Sequence, residues 1–189
     1  YTKLADNVIV NNGSLKITAI KQNYLGSSYT SARIKTQGLY DFTYGRVEIR
    51  AKLTTGGGTW PALWSLGSAN IPWPAKGEID YMEYKGNEPN KIYGTLHYPG
   101  FSGGNATGGS TNIVDATAYH VYKTVWSAQT IKFYIDDVIY YTFANNATLP
   151  FNSDFYILMN VAMGGTFGGA IDSAFVQSSM EVDYIRIYQ

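Results

Sequence analysis

The feature that most constrains the fold is a strict alternation of polar and apolar residues along short segments of the chain. Residues 46 to 53, RVEIRAKL, alternate without a break, which is typical of a β-strand with one buried face. Helical periodicity is scarce. Residues 131 to 143 predict a hairpin that turns at Asp136 and Asp137. The other strand candidates are residues 7 to 10, 14 to 20, 91 to 98, 120 to 126, 155 to 163 and 180 to 188.

Clusters of Gly, Asn, Ser and Pro separate these strands. GSSYTS at 26 to 31, TTGGGTWP at 54 to 61 and GFSGGNATGGST at 100 to 111 are interpreted as turns and loops. The sequence contains no internal repeat and no linker, and 189 residues suit one domain with a sizeable core. The pattern predicts an all-β sandwich or jelly roll.

The charge balance excludes several classes of function. Lys and Arg number 14, as do Asp and Glu, so the chain has neither a basic surplus for nucleic acid nor an acidic tail. No apolar run is as long as a membrane span, and no signal peptide is present. Without cysteine, and with two histidines far apart, a zinc site is not expected. The 17 Tyr and 20 Gly favour a turn-rich fold with an aromatic binding surface.

Three carboxylates lie within six positions of GEIDYMEYKG, residues 77 to 86. In a regular strand Glu78 and Asp80 share one face, and Glu83 points to the other. One extra residue in a β-bulge between Asp80 and Glu83 returns Glu83 to the first face. The three acids are then expected in a row along one wall of a groove.

Paired carboxyl groups about 5 Å apart are what a retaining glycosidase needs, one as nucleophile and one as acid and base. An aspartate between them can hydrogen-bond the nucleophile and tune its charge. The alternative is a solvated strand face. Against it, no Lys or Arg interleaves with the acids, and their neighbours Ile79, Tyr81, Met82 and Tyr84 are apolar or aromatic. The spacing by itself leaves both interpretations open.

The motif resembles the active-site signature of glycoside hydrolase family 16 in its bulged Glu-x-Asp-x-x-Glu form. Further blocks resemble the family in the same order, and the likeness is greatest to its laminarinase branch, the endo-β-1,3-glucanases. These blocks are YTSARIKTQGLYDFTYGRVEIRAKL at 29 to 53, TWPALWSLG at 59 to 67, IYGTLHYPG at 92 to 100, HVYKTVWSAQTIKFYIDD at 120 to 137, YILMNVAMGGTFGG at 156 to 169 and EVDYIRIYQ at 181 to 189. The resemblance implies a concanavalin-like β-jelly roll of two antiparallel sheets with a concave substrate groove.

The resemblance also assigns roles to residues. It implies that Glu78 is the nucleophile, Glu83 the acid and base, and Asp80 the assisting carboxylate. His97 matches a histidine near the catalytic acids, with a core or groove-edge histidine as the alternative. The implied reaction needs no cofactor.

Other positions match residues of the substrate groove. Trp60, Trp64 and Trp73 match tryptophans near the glycone subsites, where a pyranose face stacks on an indole. We expect at least one of them to belong to the core, and Trp126 is as consistent with core as with ligand. Arg33 matches an arginine that contacts sugar hydroxyls, with a structural ion pair as its alternative. Asn160 is a further candidate, and Phe167 stands where laminarinases often carry Trp.

One departure from the family pattern and one metal site follow from the same resemblance. Residues 1 to 189 are interpreted as a single catalytic domain. Family members usually begin with an Asp-Glu-Phe segment, whereas this sequence starts at Tyr1, so about forty residues are expected to be missing before it. A structural calcium is implied on the convex face, with Gly13 and Asp183 matching two of its oxygen ligands.

The resulting hypothesis is a secreted, monomeric, retaining endo-glycosidase acting on β-1,3-glucan. Secretion is inferred from the polymeric substrate. The alternatives are an agarase-like hydrolase of marine galactans and a carbohydrate-binding jelly roll without catalysis. Binding-only relatives are expected to lose one of the acids, whereas Glu78, Asp80 and Glu83 are all present.

Overall fold

The computed structural model describes residues 1 to 189, which form two antiparallel β-sheets packed face to face. One helical turn, α1 (Gly165–Gly168), and one 3-10 turn, Gly103–Asn105, complete the regular structure. The strands are β1 (Val8–Asn11), β2 (Ser14–Tyr24), β3 (Ser27–Thr30), β4 (Arg33–Lys35), β5 (Gly45–Lys52), β6 (Thr59–Gly67), β7 (Glu78–Tyr84), β8 (Lys91–His97), β9 (Thr107–Asn112), β10 (His120–Trp126), β11 (Thr130–Ile135), β12 (Val138–Ala144), β13 (Phe155–Met163) and β14 (Gln177–Tyr188). No helix has the length and apolar character needed to cross a bilayer.

The first sheet has eight strands in the order β1-β2-β14-β5-β10-β11-β12, with β3 paired to β2. The second sheet has six strands in the order β4-β13-β6-β7-β8-β9. Hairpin neighbours such as β6-β7-β8-β9 alternate with long-range pairings such as β2-β14, β14-β5 and β13-β6, as in a jelly roll. The all-β jelly-roll prediction is confirmed.

The predicted strands are all present. In β5 the residues Val47, Ile49 and Ala51 are buried while their neighbours are not, as the alternation predicts. Each buried Val or Ile contributes about 2 kcal/mol through removal of its apolar surface from water. The hairpin also turns where expected, because Asp136 and Asp137 both have positive φ, at 48° and 69°, as a two-residue type I′ turn requires.

Two segments interpreted as loops contain strands instead. β3 lies within 26 to 31 and pairs with β2, and β9 begins at Thr107 within 100 to 111 and pairs with β8. Local composition disfavours β9, since Gly is depleted in strands. Hydrogen bonds from a neighbouring strand of the finished sheet stabilise both strands.

The core lies between the sheets and is rich in aromatic residues. Trp126 is 2% exposed, its ring packs edge-on against Phe42, Tyr44 and Phe155, and its indole N–H donates to the carbonyl of Phe151 at 2.9 Å. Trp126 is therefore a core residue and not a ligand-binding one. β7 is buried on both faces except at Glu78, which is half-buried. The strand that carries the three acids is thus held rigidly in the middle of its sheet.

Candidate active site

A β-bulge in β7 brings the three acids to one face of the six-stranded sheet. Along β8 the partner of Asp80 is Thr95 and the partner of Glu83 is Tyr93, so three steps on β7 face two steps on β8. The same irregularity occurs against β6. The predicted bulge is confirmed, and it lies at the position required to turn Glu83 towards Glu78 and Asp80. The core takes up the intervening Tyr81 and Met82.

Glu78 and Glu83 line a cleft of about 650 Å³ on the outer side of this sheet. The loop residues Gly103, Gly104 and Ala106 contribute to its wall, as do Thr166 and Phe167. The remaining lining residues are Trp60, Trp73, Glu78, Glu83, Thr95 and His97. A contiguous depression of about 280 Å³ continues over the acids towards Arg33, Trp64 and Asn160. The structure therefore brings all the predicted groove residues to one face.

Glu78 is held by a tryptophan. The indole N–H of Trp73 donates to Oε2 of Glu78 at 2.7 Å. Burial raises the pKa of Glu78, whereas hydrogen bonds from Trp73 and Asp80 and the charge of Arg33 oppose the rise. These donors favour the ionised form, which is the form a nucleophile needs.

Glu83 is 7% exposed, and both of its oxygens are engaged. Trp60 Nε1 donates to Oε1 at 3.0 Å, and the hydroxyl of Thr95 bonds Oε2 at 2.9 Å. Burial raises the pKa of Glu83 to about 7, against the opposing effect of these two hydrogen bonds. A carboxyl group with such a pKa can give up and recover a proton near neutral pH, which suits a general acid and base.

Asp80 lies between the two glutamates and is 3% exposed. Burial raises its pKa well above the ordinary value, and the charges of Glu78 and Glu83 raise it further. When Asp80 is protonated it can donate to Glu78, which lowers the pKa of Glu78 and raises that of Asp80. Its Oδ2 lies 3.1 Å from Nε2 of His97, but this contact lacks hydrogen-bond geometry. Asp80 is thus the acid whose ionisation is least favourable.

His97 is fixed by the wall of the cleft. The backbone N–H of Gly103 donates to Nδ1 of His97 at 3.1 Å, so the proton of the neutral ring is on Nε2. Burial lowers the pKa of His97, which favours this neutral form. His97 lines the cleft and is not in the core, which fits both a histidine beside the catalytic acids and the groove-edge alternative.

Donor atoms of Glu78, Asp80 and His97 lie within 4.8 Å of one another, a spacing that a metal ion could bridge. A metal-binding histidine normally donates its second N–H to an acceptor. Here Nδ1 of His97 accepts a hydrogen bond instead, so coordination through Nε2 would leave the ring without any proton. The cluster suits a neutral histidine beside carboxyl groups better than a metal ligand.

The three groove tryptophans differ in exposure. Trp73 is 46% exposed and Trp60 half-buried, whereas Trp64 is 9% exposed and packs against Ala62, Tyr156 and Leu158. The guanidinium of Arg33 lies 4.4 Å from the ring centroid of Trp64. Trp64 is therefore mainly a structural support for Arg33, in line with the expectation that one of the three belongs to the core.

The residues around Trp64 form the floor of the smaller depression. Trp64 Nε1 donates to Oδ1 of Asn160 at 2.9 Å, and this bond fixes the amide. Arg33 makes no ion pair, so the alternative proposed for it is wrong. Phe167 lies against Trp60 and Tyr93, with ring centroids 5.1 and 5.3 Å apart.

Two contacts of the site are absent from the sequence predictions, namely the Thr95 hydroxyl on Glu83 and the Gly103 amide on His97. Thr95 precedes His97 by two residues on one strand and so shares its face. The alternation of side chains along β8 therefore predicts that Thr95 lies on the same face as His97. A backbone amide contributed by a loop leaves no signal in the sequence.

Gly13 and Asp183 do not form a calcium site by themselves. Gly13 lies in the turn between β1 and β2, and the carboxylate of Asp183 pairs with Arg50 at 2.6 Å. Calcium takes about six to eight oxygen ligands. One carbonyl and one carboxylate already held by a cation fall short of that number, so the structural calcium stays a prediction.

Comparison with known proteins gives one consistent result. Residues 1 to 186 match the model of the family described as Glycosyl hydrolases family 16. The chain is 40% identical over 210 residues to a beta-glucanase of Rhodothermus marinus, covering all of this chain and 73% of that protein. It is 36% identical over 215 residues to the glucan endo-1,3-beta-glucosidase A1 of Niallia circulans, covering all of this chain and 32% of that protein.

A solved structure shows the same similarity in three dimensions. A glutamate-to-serine variant of LamA from Z. galactanivorans, crystallised with laminaritriose and laminaritetraose, superimposes with a TM-score of 0.91 at 39% sequence identity. The match covers all of this chain and 84% of that one.

Proposed function

The chain belongs to glycosyl hydrolase family 16, and from that premise we propose that it is a retaining endo-glycosidase that hydrolyses β-1,3-glucan of the laminarin type. The observation that carries the proposal is the pair of glutamates that the bulge turns to one face of the sheet. Glu78 has donors that favour its ionised form, and Glu83 has a pKa of about 7.

In the first half of the reaction, Glu78 attacks the anomeric carbon and forms a glycosyl-enzyme. Glu83 gives its proton to the glycosidic oxygen as the bond to the leaving sugar breaks. As Glu78 loses its charge, Asp80 no longer needs to donate to it. The ionisation of Asp80 is therefore coupled to the charge of the nucleophile.

In the second half, Glu83 is a carboxylate and takes a proton from the attacking water. The water replaces Glu78 at the anomeric carbon from the opposite face. Two inversions leave the β-configuration unchanged. Each acid then returns to its starting protonation state, so no cofactor is consumed.

The β-1,3-glucan substrate is supported by the relatives. The Niallia protein is named for endo-1,3-glucan cleavage, and the Zobellia enzyme was crystallised with laminari-oligosaccharides. The chain spans about three quarters of the Rhodothermus relative and about a third of the Niallia one, so further parts of a longer protein could add to this activity. A polymeric substrate also favours secretion.

The test measures release of reducing sugar from laminarin, mixed-linkage β-glucan and agarose in parallel. We expect laminarin to be the preferred substrate, and proton NMR of the first products to show the β-anomer. Glu78→Gln is the matched inactive control. Preference for agarose would make the enzyme a galactan hydrolase. Binding of laminarin without hydrolysis would make it a binding module, and an α-anomer appearing first would exclude the double displacement.

A further inference from the structure

The two oxygens of Glu83 have partners of different chemistry. Oε1 accepts from the indole N–H of Trp60 at 3.0 Å, and Oε2 lies 2.9 Å from the hydroxyl of Thr95. An indole N–H can donate but never accept. A hydroxyl can do either, because its hydrogen rotates about the C–O bond. The proton of Glu83 therefore belongs on Oε2, the oxygen that faces Thr95.

The Thr95 hydroxyl has no hydrogen-bond partner other than Glu83. It lies on β8 directly opposite Asp80, is half-buried, and its hydroxyl makes a hydrogen bond to Glu83 alone. On its other side its strand partner is Gly108, which has no side chain to hold the hydroxyl. A hydroxyl placed there for strand stability would be expected to bond the backbone or a neighbouring strand.

We propose that Thr95 is a positioning residue for the acid and base, and that its hydroxyl reverses direction in each catalytic cycle. When Glu83 is protonated, the Thr95 oxygen can accept from Oε2 until the proton passes to the glycosidic oxygen. When Glu83 is a carboxylate, the Thr95 hydroxyl donates to it. The inference rests on the proposed glycosidase function and adds a residue to that site.

The hydrogen bond with Thr95 stabilises the ionised form of Glu83 more than the protonated form. A hydrogen bond to a charged carboxylate is about twice as strong as one between neutral groups. The Thr95 bond accordingly lowers the pKa of Glu83 more than any other group does, and it opposes the larger effect of burial. Without Thr95, Glu83 would hold its proton to higher pH.

Other charged and titratable groups also face Glu83. Glu78 and Asp80 lie on the same strand, and the charge of Glu78 raises the pKa of Glu83. Lys85, at the end of the strand, lowers it. Tyr140 of β12 lies on the core side of the sheet and is itself affected by the charge of Glu83. None of these groups is altered by a substitution at Thr95, so a pH shift in the variant reports on the hydroxyl.

The test compares Thr95→Val, which removes the hydroxyl at constant shape, with Thr95→Ser, which keeps it. The matched control is Thr107→Val on β9, whose hydroxyl contacts Tyr98 at 3.3 Å and no acid. For Thr95→Val we expect the alkaline limb of kcat/KM on laminarin to move up by about one pH unit. We expect kcat/KM at its optimum to fall about tenfold. The fall in kcat/KM should be smaller for a substrate with an activated aryl leaving group, because such a substrate needs little proton donation. Thr95→Ser should restore both quantities.

A purely structural role predicts something else, namely equal losses on both substrates, an unmoved alkaline limb and no rescue by serine. Any of these results overturns the proposal. Titration of the Glu83 carboxyl by carbon-13 NMR gives a readout that does not depend on turnover. If the wild-type protein releases no sugar from any glucan, the proposed function fails. The Thr95 inference is then still decided by whether the pKa of Glu83 rises in Thr95→Val.

Discussion

The sharpest energetic consequence of the site is that Glu83 should destabilise the folded protein at neutral pH. Burial raises its pKa from the ordinary 4.5 to about 7. Between these two values the folded state binds a proton that the unfolded state has released, so stability falls as pH rises. At about 1.4 kcal/mol per pKa unit, the loss amounts to about 3 kcal/mol once the pH exceeds 7. The side chain is 7% exposed, so solvent screening reduces this figure little.

Replacement of Glu83 by Gln removes the ionisation and keeps the shape. The Gln carbonyl can accept from Trp60, and its amide can donate to the Thr95 hydroxyl, so both contacts survive. We therefore expect the variant to match or exceed the wild type in stability at pH 8, and the gap between them to narrow towards pH 5. Glu78 and Asp80 are present in both proteins, so the difference between the two curves reports the ionisation of Glu83 together with its charge effect on Asp80.

The assay is urea unfolding of both proteins at several pH values from 5 to 8. Glu88→Gln is the control, because Glu88 has a pKa lowered to about 2 by its hydrogen bonds with Lys85 and Tyr93 and stays ionised over the whole range. Glu88→Gln should change the free energy of unfolding by the same amount at every pH from 5 to 8, so its dependence on pH stays that of the wild type. Parallel curves for wild type and Glu83→Gln would refute the raised pKa, and with it the reason for assigning Glu83 as the acid.

Two further substitutions separate the roles of the remaining acids. Asp80→Asn removes the carboxyl group whose ionisation is coupled to that of Glu78, so kcat should fall strongly while calorimetry shows unchanged affinity for laminari-oligosaccharides. Unchanged turnover would make Asp80 a bystander. Trp73→Phe removes the N–H that favours ionised Glu78, so the pKa of Glu78 should rise and the acidic limb of kcat/KM should move to higher pH. A pH–rate profile with an unmoved limb would contradict this.

The amino-acid sequence by itself determined the fold class and the chemistry. Alternation of the kind seen in β5 requires a half-buried strand, because side chains point to opposite faces with a period of two. The spacing Glu78, Asp80, Glu83 requires one extra residue if all three are to act together, and the bulge supplies it. Both are local properties, since they depend on residues only a few positions apart.

The tertiary structure alone decided how the acids are tuned. β9 forms in a segment rich in Gly and Ser because β8 offers it hydrogen bonds, which no local pattern records. Trp64 is buried and Trp73 exposed, although both are tryptophans of the same region, because burial depends on what packs from distant strands. The donors to Glu83 come from β6 and β8, and the amide that fixes His97 comes from a loop. The pKa of a carboxyl group is set by desolvation and by the donors around it, and both are properties of residues that only the folded chain brings together.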